Sequence, residues 1–396
     1  MFREGFHIGR FFGINVSINW SWIFIFLLIT GSLGVGVFPI LHPEWGFFLV
    51  WGVSIAASIL FFASVLAHEI AHSVVARSRG LPVDQITLFI FGGVSNIERE
   101  PEKPATEFLM AIVGPLTSIV LGVVFTLLGV LAANGLRAFT GASGQVLASL
   151  DPISTLLLWL GPINVILGVF NLIPGFPLDG GRVLRSILWA ATGNLKKATQ
   201  WASWIGQGFG WFFILIGIGM VLGIEVPFFG TGLIGGLWLV FIGWFLSSMA
   251  AQGYQQVLIE DVLRDVKVSS IMRRSFPKVT PEVTVSELIN EHIMGTEDRA
   301  FLVMQDDALE GIVTLDDVRK AAREDWDKTT VEQIMTAESE LESVSSSDRA
   351  VDALQKITSR DVNQLPVIDE GKLTGLINRR DILLWLQTHS GNNFPS

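Results

Sequence analysis

The sequence contains no cysteine among its 396 residues. The absence of thiols excludes a disulfide scaffold, a thiol nucleophile and every zinc or iron–sulfur site that needs cysteine ligands. Charged residues are also scarce, at 16% of the chain, whereas soluble proteins carry about 25%. The net charge of −10 excludes a basic nucleic-acid-binding protein, so we expect no nucleic acid among the partners.

The few charges are unevenly distributed along the chain. Residues 1–255 carry 11 basic and 11 acidic side chains, whereas the remaining 141 residues carry 16 basic and 26 acidic ones. The shorter C-terminal part therefore holds the entire net charge. This asymmetry predicts two domains, an apolar one over residues 1–255 and a soluble, acidic one over residues 256–396.

Long apolar runs occupy the charge-poor part of the chain. Crossing about 30 Å of hydrocarbon takes roughly 20 apolar residues in a helix. Six runs near this length precede Gln255 and none follows it, which predicts a multi-pass α-helical membrane protein with six transmembrane helices. The alternative, buried core helices of a large soluble protein, leaves six such runs without a soluble scaffold. The runs are Val16–Phe38, Phe47–Val75, Phe108–Ala133, Thr155–Leu172, Trp201–Ile224 and Leu233–Ala251.

Basic residues between the runs predict the orientation in the membrane. Ten of the eleven lie in the connections of one side, and only Arg137 lies in the connections of the other. Because basic connections stay in the cytoplasm, we expect both termini and the acidic C-terminal domain to be cytoplasmic, with the chain in the cell membrane. The ten are Arg3, Arg10, Arg77, Arg79, Arg99, Lys103, Arg182, Arg185, Lys196 and Lys197.

Three ionisable side chains interrupt the second apolar run. The stretch His68-Glu69-Ile70-Ala71-His72 has HExxH spacing. Residues four apart lie on one helical face, so both imidazoles can bind one Zn²⁺. Glu69 can then accept a proton from a metal-bound water. Ionisable groups at membrane depth are costly and point to function; the alternative is a structural His/Glu cluster paired with another helix.

A catalytic zinc ion bound by two histidines needs a third protein ligand. His292 and His389 lie in the soluble domain, and His42 is expected on the opposite side of the membrane. Asp179 is the acidic residue at the inner end of the fourth run, in the stretch Asn171–Arg182, whose prolines and glycines favour unwound backbone. Asp179 is therefore the best third ligand, although it can also cap the helix that follows it.

The segment Asp84–Asn96 is too short to span a membrane. Its β-branched and aromatic residues precede Gly92-Gly93, which predicts a short membrane-associated β-hairpin with an edge strand. A peptide bond inside a helix is shielded by its own hydrogen bonds, so an unwound substrate needs new backbone partners, and an exposed edge can supply them. A purely structural hairpin is the alternative.

Together, HEIAH and NLIPGFPLDGGR resemble the motifs of the site-2 protease family of intramembrane zinc metalloproteases. The similarity extends to Phe91-Gly92-Gly93-Val94, which resembles the glycine-containing extended segment of that family. It also includes Gly114-Pro115 and Gly161–Asn164, which we interpret as helix starts. These motifs cover most of residues 1–255.

The resemblance implies one Zn²⁺ per chain and the hydrolysis of a peptide bond of a transmembrane protein within the bilayer. It assigns His68, His72 and Asp179 as zinc ligands and Glu69 as the catalytic residue. An oxyanion needs a further donor, and Asn171 and Asn164 are candidates; either amide can instead make a helix-packing hydrogen bond. The set of substrate-binding or oxyanion candidates is Asn171, Asn164, Gly92 and Gly93.

The soluble domain contains an internal repeat. Gly311–Val318 aligns with Gly375–Ile382 at an offset of 64 residues. Each unit reads as a helix, two strands and a second helix, over about residues 265–325 and 328–390. The pattern resembles a tandem pair of CBS domains, so the predicted fold of this domain is a cytoplasmic α/β CBS pair.

The CBS resemblance implies contacts with the ribose of an adenine nucleotide at Gly-x-[IV]-[ST]-x-x-Asp. Thr314 and Asp317 match this pattern; in the second repeat Asp381 matches, whereas Asn378 departs from it. The implied role is a regulatory sensor of ATP, ADP or AMP. The alternative is a dimerisation or docking module with empty pockets. The CBS resemblance also makes a homodimer plausible, because tandem CBS pairs often associate.

The sequence therefore predicts an intramembrane zinc endopeptidase regulated by a CBS pair. A CBS-gated transporter or channel with a structural metal site is the second hypothesis. It does not explain HExxH together with LDGG, and the membrane domain lacks detectable two-half symmetry. A third hypothesis, an inactive binding scaffold, conflicts with the intact His68, Glu69, His72 and Asp179.

Overall fold

The computed structural model describes residues 5–90, 92–97, 101–133, 150–227, 230–294, 296, 299–306, 308–360 and 362–389. The chain divides into two compact units, Met1–Gln255 and Gln256–Ser396. The division of function between the two units stays a prediction. Four residues used above lie outside the described ranges: Arg3, Phe91, Arg99 and Arg137.

The first unit is dominated by long apolar helices. Among the described residues, six helices are long and apolar enough to cross a membrane, which confirms the predicted number. The helices are α1 (Ser21–Ser32), continued by a π-helical turn (Leu33–Val37) and α2 (Phe38–Leu41); α3 (Phe47–Ser78); α4 (Pro104–Ala132); α5 (Pro152–Asn171); α6 (Asp179–Thr192); α7 (Leu195–Val221); and α8 (Leu233–Leu263). The amphipathic α6 is too short to be one of the six.

The predicted β-hairpin is present, and it forms half of a four-stranded sheet beside these helices. The strands of the sheet are β1 (Gly5–Phe11), β2 (Ile14–Asn19), β3 (Val83–Phe89) and β4 (Gly92–Ile97), in the order β1-β2-β3-β4. The pairs β1–β2 and β3–β4 are antiparallel, and β2 runs parallel to β3.

The first predicted helix begins too early in the chain. Val16 lies in β2, and the helix starts at Ser21. Ile14 and Val16 are fully buried and alternate with polar residues, a period of two that fits a strand rather than a helix. Both side chains pack with Ile86 of β3 and Ala76 of α3, so the sheet is fixed to the C-terminal end of α3.

Two expected helix starts lie inside helices. Pro115 is in the interior of α4 and Pro162 is in the interior of α5. Prolines are tolerated in membrane helices because neighbouring helices and side chains satisfy the released carbonyls. The glycines before them serve close packing instead: a Cβ on Gly161 would lie 2.1 Å from Oγ1 of Thr126.

The second unit alternates short strands and helices twice, as the repeat predicts. Its strands are β5 (Lys278–Val279), β6 (Ala300–Gln305), β7 (Ala308–Thr314), β8 (Thr336–Ala337), β9 (Gln364–Asp369) and β10 (Lys372–Asn378). Its helices are α9 (Val285–Glu287), continued by a π-helical turn (Leu288–Ile293); α10 (Leu315–Lys320); α11 (Val331–Ile334); α12 (Ala350–Ser359); and α13 (Arg379–His389). Strands β5-β6-β7-β8 form one sheet, and β9 and β10 form another.

Each repeat of the second unit has its own apolar core. One core contains Phe301, Val303 and Val313, and the other contains Leu365, Val367 and Ile377. The equivalent strands β6–β7 and β9–β10 both pair antiparallel, each with an irregularity in register. The α/β architecture expected for a CBS pair is therefore confirmed.

Candidate functional site

Two helices bring together three polar side chains that are far apart in sequence. Nε2 of His68 lies 3.1 Å from Nε2 of His72, and both histidines are on α3. Oδ2 of Asp179, the first residue of α6, lies 3.1 Å from Nε2 of His68 and 3.2 Å from Nε2 of His72. These three atoms form a nearly equilateral triangle, and His68 is 5% exposed.

Helix α4 fixes the orientation of both imidazole rings. Nδ1 of His72 donates to the carbonyl oxygen of Met110 at 2.5 Å, and Nδ1 of His68 bonds to Oγ of Ser118 at 2.9 Å. A carbonyl oxygen can only accept, so the proton of a neutral His72 ring is on Nδ1 and its Nε2 presents a lone pair. Partners of this kind hold metal-binding histidines in place.

The three converging atoms fit a zinc ion. Two imidazole nitrogens and a carboxylate oxygen are the ligand set of many catalytic zinc sites. Bond lengths of about 2.0–2.1 Å in tetrahedral geometry require ligand atoms roughly 3.3 Å apart, close to the separations of 3.1–3.2 Å. Among the described residues, His68, His72 and Asp179 are the only group of three histidine or acidic side chains that lie close enough together to hold a metal ion.

Gly114 of α4 makes room for the two imidazoles. A Cβ at this position would lie 2.1 Å from Nε2 of His72 and 2.7 Å from Nε2 of His68. The Gly114-Pro115 pair, predicted to start a helix, lies inside α4. The signal available in the sequence was the glycine itself, because a small residue in a membrane helix marks close approach to another group.

Asp179 reaches the histidines through an irregular connection between α5 and α6. Helix α6 begins at Asp179, and its N-cap residue is Leu178, without a side-chain capping bond. Helix capping therefore does not account for Asp179 in this structure. The connection is tightly packed, because a Cβ on Gly180 would lie 2.3 Å from the carbonyl oxygens of Leu172 and Ile173.

Glu69 lies under strand β4. Oγ of Ser95 donates to Oε2 of Glu69 at 3.3 Å, and Oγ of Ser73 bonds to Oγ of Ser95 at 3.0 Å. A Cβ on Gly93 would lie 2.3 Å from Cγ of Glu69, so only glycine allows the strand this close. The two serines were missed, because a hydroxyl in a strand or helix carries no motif of its own.

The two glycines predicted to bind substrate have distinct local roles. Gly92 has φ +127°, a conformation that other residues rarely adopt, and it opens β4. Gly93 contacts Glu69, as described above. Strand β4 pairs with β3 and forms one edge of the described sheet, and Val94 in it is 46% exposed.

The two candidate asparagines each donate within their own helix. Nδ2 of Asn164 donates to the carbonyl oxygen of Leu160, and Nδ2 of Asn171 donates to that of Leu167, both at 2.9 Å. Asn164 is fully buried, and its Oδ1 has no hydrogen-bond partner among the described residues. Within those residues, neither amide bonds to the three converging side chains.

In the first repeat of the second unit, Thr314 and Asp317 bond to each other. Oγ1 of Thr314 donates to Oδ2 of Asp317 at 2.7 Å, and the two residues form a capping box at the start of α10. Nζ of Lys320 also donates to Asp317, at 2.8 Å. Burial opposes ionisation of Asp317, but the hydrogen bonds from Lys320 and Thr314 lower its pKa below the usual range.

In the second repeat, Asp381 has a different set of contacts. Its Oδ1 accepts from Nε of Arg273 at 2.8 Å and pairs with Nη2 of the same residue at 2.7 Å. Oδ2 of Asp381 and Oδ1 of Asn378 are buried without a hydrogen-bond partner in the described part of the chain. These two acceptors occupy the positions equivalent to Asp317 and Thr314.

Comparisons with family models match both units. The model of peptidase family M50 matches residues 56–216, a range that includes His68, Glu69, His72 and Asp179. The CBS domain model matches residues 268–324 and 331–388. The two CBS matches lie within the two predicted repeats.

Known proteins resemble this chain along most of its length. A protein of Synechocystis sp. named as a zinc metalloprotease is 33% identical over 98% of this chain and 96% of its own length. A Mycobacterium tuberculosis protein, also named as a zinc metalloprotease, is 32% identical over 84% of this chain and 80% of its own length. The solved site-2 protease from Methanocaldococcus jannaschii is 27% identical, covers 63% of this chain and 95% of its own, and superposes with a TM-score of 0.41.

Proposed function

We infer the function from one premise: this chain belongs to peptidase family M50 and carries two CBS domains in its second unit. It is a zinc metalloprotease of the membrane, and it cleaves protein substrates within the bilayer. The roles of individual residues, the orientation and the regulation are proposals.

We propose that His68, His72 and Asp179 hold the zinc ion. The observation that carries this proposal is the triangle of Nε2, Nε2 and Oδ2 atoms at separations of 3.1–3.2 Å. With the proton of His72 on Nδ1, its Nε2 presents a lone pair to Oδ2 of Asp179, and two acceptors this close repel each other unless a cation lies between them. One zinc ion per chain satisfies all three.

Glu69 is the proposed general base. When bound, zinc supplies a Lewis acid that polarises the scissile carbonyl and lowers the pKa of a water to about 7. The carboxylate of Glu69 accepts a proton from the attacking water and transfers it to the nitrogen of the leaving amine. The hydrogen bond from Ser95 fixes Oε2 of this carboxylate, and Gly93 keeps β4 close enough for that bond.

Strand β4 is the proposed binding edge for unwound substrate. It borders the described sheet and lies directly over Glu69 through Gly93 and Ser95. Backbone groups on the outer side of an edge strand can pair with an extended peptide. A substrate strand added there is therefore brought to the carboxylate that activates water.

Asn164 and Asn171 remain candidate donors to the oxyanion. Each amide uses one N–H in a bond to its own helix, and the second N–H of the same group can donate elsewhere. Asn171 directly precedes the connection that leads to Asp179, which favours it over Asn164, an interior residue of α5.

The orientation proposal places both termini in the cytoplasm of a cell whose plasma membrane holds the chain. Arg10 lies on β1, and three further basic residues lie where α3 ends and α4 begins: Arg77, Arg79 and Lys103. The basic residues of α6 and of the first turn of α7 belong to the connection on the same side, so the excess of positive charge supports a cytoplasmic location.

The CBS pair is proposed to regulate cleavage in response to an adenine nucleotide. Two buried acceptors without partners, Oδ2 of Asp381 and Oδ1 of Asn378, are suited to accept bonds from ribose hydroxyls. They favour the second repeat, whereas Thr314 and Asp317 already satisfy each other in the first. A homodimer through the second unit stays a prediction.

Co-expression with single-span membrane proteins tests the enzymatic assignment. We expect the wild-type chain to shorten at least one such protein, and Glu69→Gln to leave every one intact while zinc remains bound at one ion per chain. The glutamine keeps the size of the side chain but cannot accept the proton. Full cleavage by Glu69→Gln would refute the general-base role.

A further inference from the structure

A buried ion pair joins α4 to α6. Nε of Arg185 donates to Oε1 of Glu107 at 2.5 Å, and Nη2 of Arg185 also contacts that oxygen. Glu107 is 1% exposed and Arg185 is 3% exposed. Removing two charges from water is costly, and breaking such a pair leaves an uncompensated buried charge. The pair therefore strongly restrains the distance between the two helices.

Both partners lie close in sequence to the groups of the proposed zinc site. Arg185 is six residues after Asp179 on the 14-residue helix α6, which is about 9 Å along the axis at 1.5 Å per residue. Glu107 is three residues before Met110 on α4, and the carbonyl oxygen of Met110 accepts from His72. The ion pair thus connects the helix that carries Asp179 to the helix that orients both imidazoles.

The irregular connection before α6 makes this restraint necessary. Asp179 is the first residue of α6, and the chain before it, from Leu172 to Leu178, is not helical. The guanidinium of Arg185 also lies over the ring of Phe176 in this connection, 5.2 Å from its centroid. Arg185 therefore contacts both the helix and the connection between which Asp179 is placed.

We propose that Glu107 is a positioning residue, which acts through Arg185 to hold the carboxylate of Asp179 at the zinc site. The inference rests on the proposed zinc site and adds a residue that touches neither metal nor substrate. Replacing a residue that holds a metal ligand in position typically weakens metal binding by about 10–100-fold.

Zinc affinity of the purified full chain tests the proposal, measured by competition with a chromophoric chelator. We expect Glu107→Gln to bind zinc on the order of 10–100-fold more weakly than the wild type. If Glu107 acts through Asp179, the double variant with Asp179→Ala binds no more weakly than Asp179→Ala alone. Additive losses, or wild-type affinity in Glu107→Gln, would overturn the proposal.

Arg182→Gln is the matched control on the same helix. Nε of Arg182 lies 3.9 Å from Oε1 of Glu107, and its side chain is 30% exposed, so we expect zinc affinity near that of the wild type. A loss as large as that of Glu107→Gln would show a general effect of charge on α6 and would contradict the specific role of Arg185.

Glu107→Asp keeps the charge and provides a second test if Glu107→Gln does not fold. Its shorter side chain should draw α6 out of place and weaken zinc binding, so unchanged affinity would overturn the inference. If neither variant folds, the pair belongs to the stability of the helices and the positioning role is wrong. A wild-type chain that binds no zinc would instead contradict the proposed zinc site itself.

Discussion

The polar residues of the two units are arranged in opposite ways. In the first unit, His68 and Asp179 are 111 residues apart and meet at 3.1 Å. In the second unit, Thr314 and Asp317 are three residues apart and bond within one capping box. The first arrangement is made by tertiary structure alone, whereas the second is made by the start of a single helix.

This difference bears on how motifs are interpreted. A capping box stabilises a helix start whether or not a ligand binds, so Thr314 and Asp317 have a sufficient local role. No local role explains two histidines and an aspartate that meet inside a membrane unit, because such groups are costly there. A motif match is therefore stronger evidence of function in the first unit than in the second unit.

The largest expected effect is the loss of zinc from His68→Ala, which removes one of the three side chains that converge in the first unit. Two remaining ligands cannot hold the ion as three do, so we expect zinc content to fall from about one per chain to near zero, with no cleavage. Elemental analysis of the purified protein measures this. Ser64→Ala, one helical turn earlier, is the control, and retention of zinc in His68→Ala would be inconsistent with the proposed ligand set.

Gly114→Ala should have the next largest effect, because its Cβ enters the space that the two imidazole rings occupy. The new Cβ would lie 2.1 Å from Nε2 of His72, so the imidazole must move and zinc affinity should fall by about tenfold or more. Gly52→Ala in α3 is the matched control, since nothing lies within 4 Å of a Cβ there. Equal zinc affinities in the two variants would contradict this role for Gly114.

Asp381→Asn tests which of the two repeats of the second unit binds a nucleotide. If the buried acceptors of the second repeat bind an adenine nucleotide, titration calorimetry of the full chain in detergent should show about tenfold weaker binding, as expected for a lost bond to a charged group. Asp317→Asn should change nucleotide affinity less. The reverse order would assign binding to the first repeat, and no heat with ATP, ADP or AMP would remove the sensor proposal.

Ser95→Ala should have the smallest effect of the four. It removes one long hydrogen bond to Glu69, so we expect kcat to fall by roughly tenfold or less while zinc content stays unchanged. Ser78→Ala, an exposed serine near the end of α3, is the control. A simultaneous loss of zinc would indicate that Ser95 supports the fold of the site rather than the position of Glu69.

Hydrophobic length and motif spacing predicted much of the fold. The six apolar helices and the α/β repeat were both recognised, because long runs and a 64-residue offset are strong periodic signals. The N-terminal strands were missed, since the alternation that makes β2 merges with the apolar run of α1. Strand partners distant in sequence, such as β2 and β3, leave no local pattern.

The candidate site was partly predictable for a related reason. Two histidines four residues apart on a helix lie on the same face, so their convergence follows from helix geometry. The contributions of Met110 and Gly114 depend on how α4 packs against α3, which the sequence does not specify locally. The contacts of Asp381 likewise depend on Arg273, 108 residues away.

X-ray absorption at the zinc edge of the purified, zinc-loaded full chain tests the central claim most directly. We expect a first shell at about 2.0–2.1 Å that contains two imidazole nitrogens and a carboxylate oxygen, and we expect this shell to be lost in Asp179→Ala, because the two remaining ligands cannot hold the ion. A shell made only of water oxygens, or a spectrum unchanged by Asp179→Ala, would contradict the account.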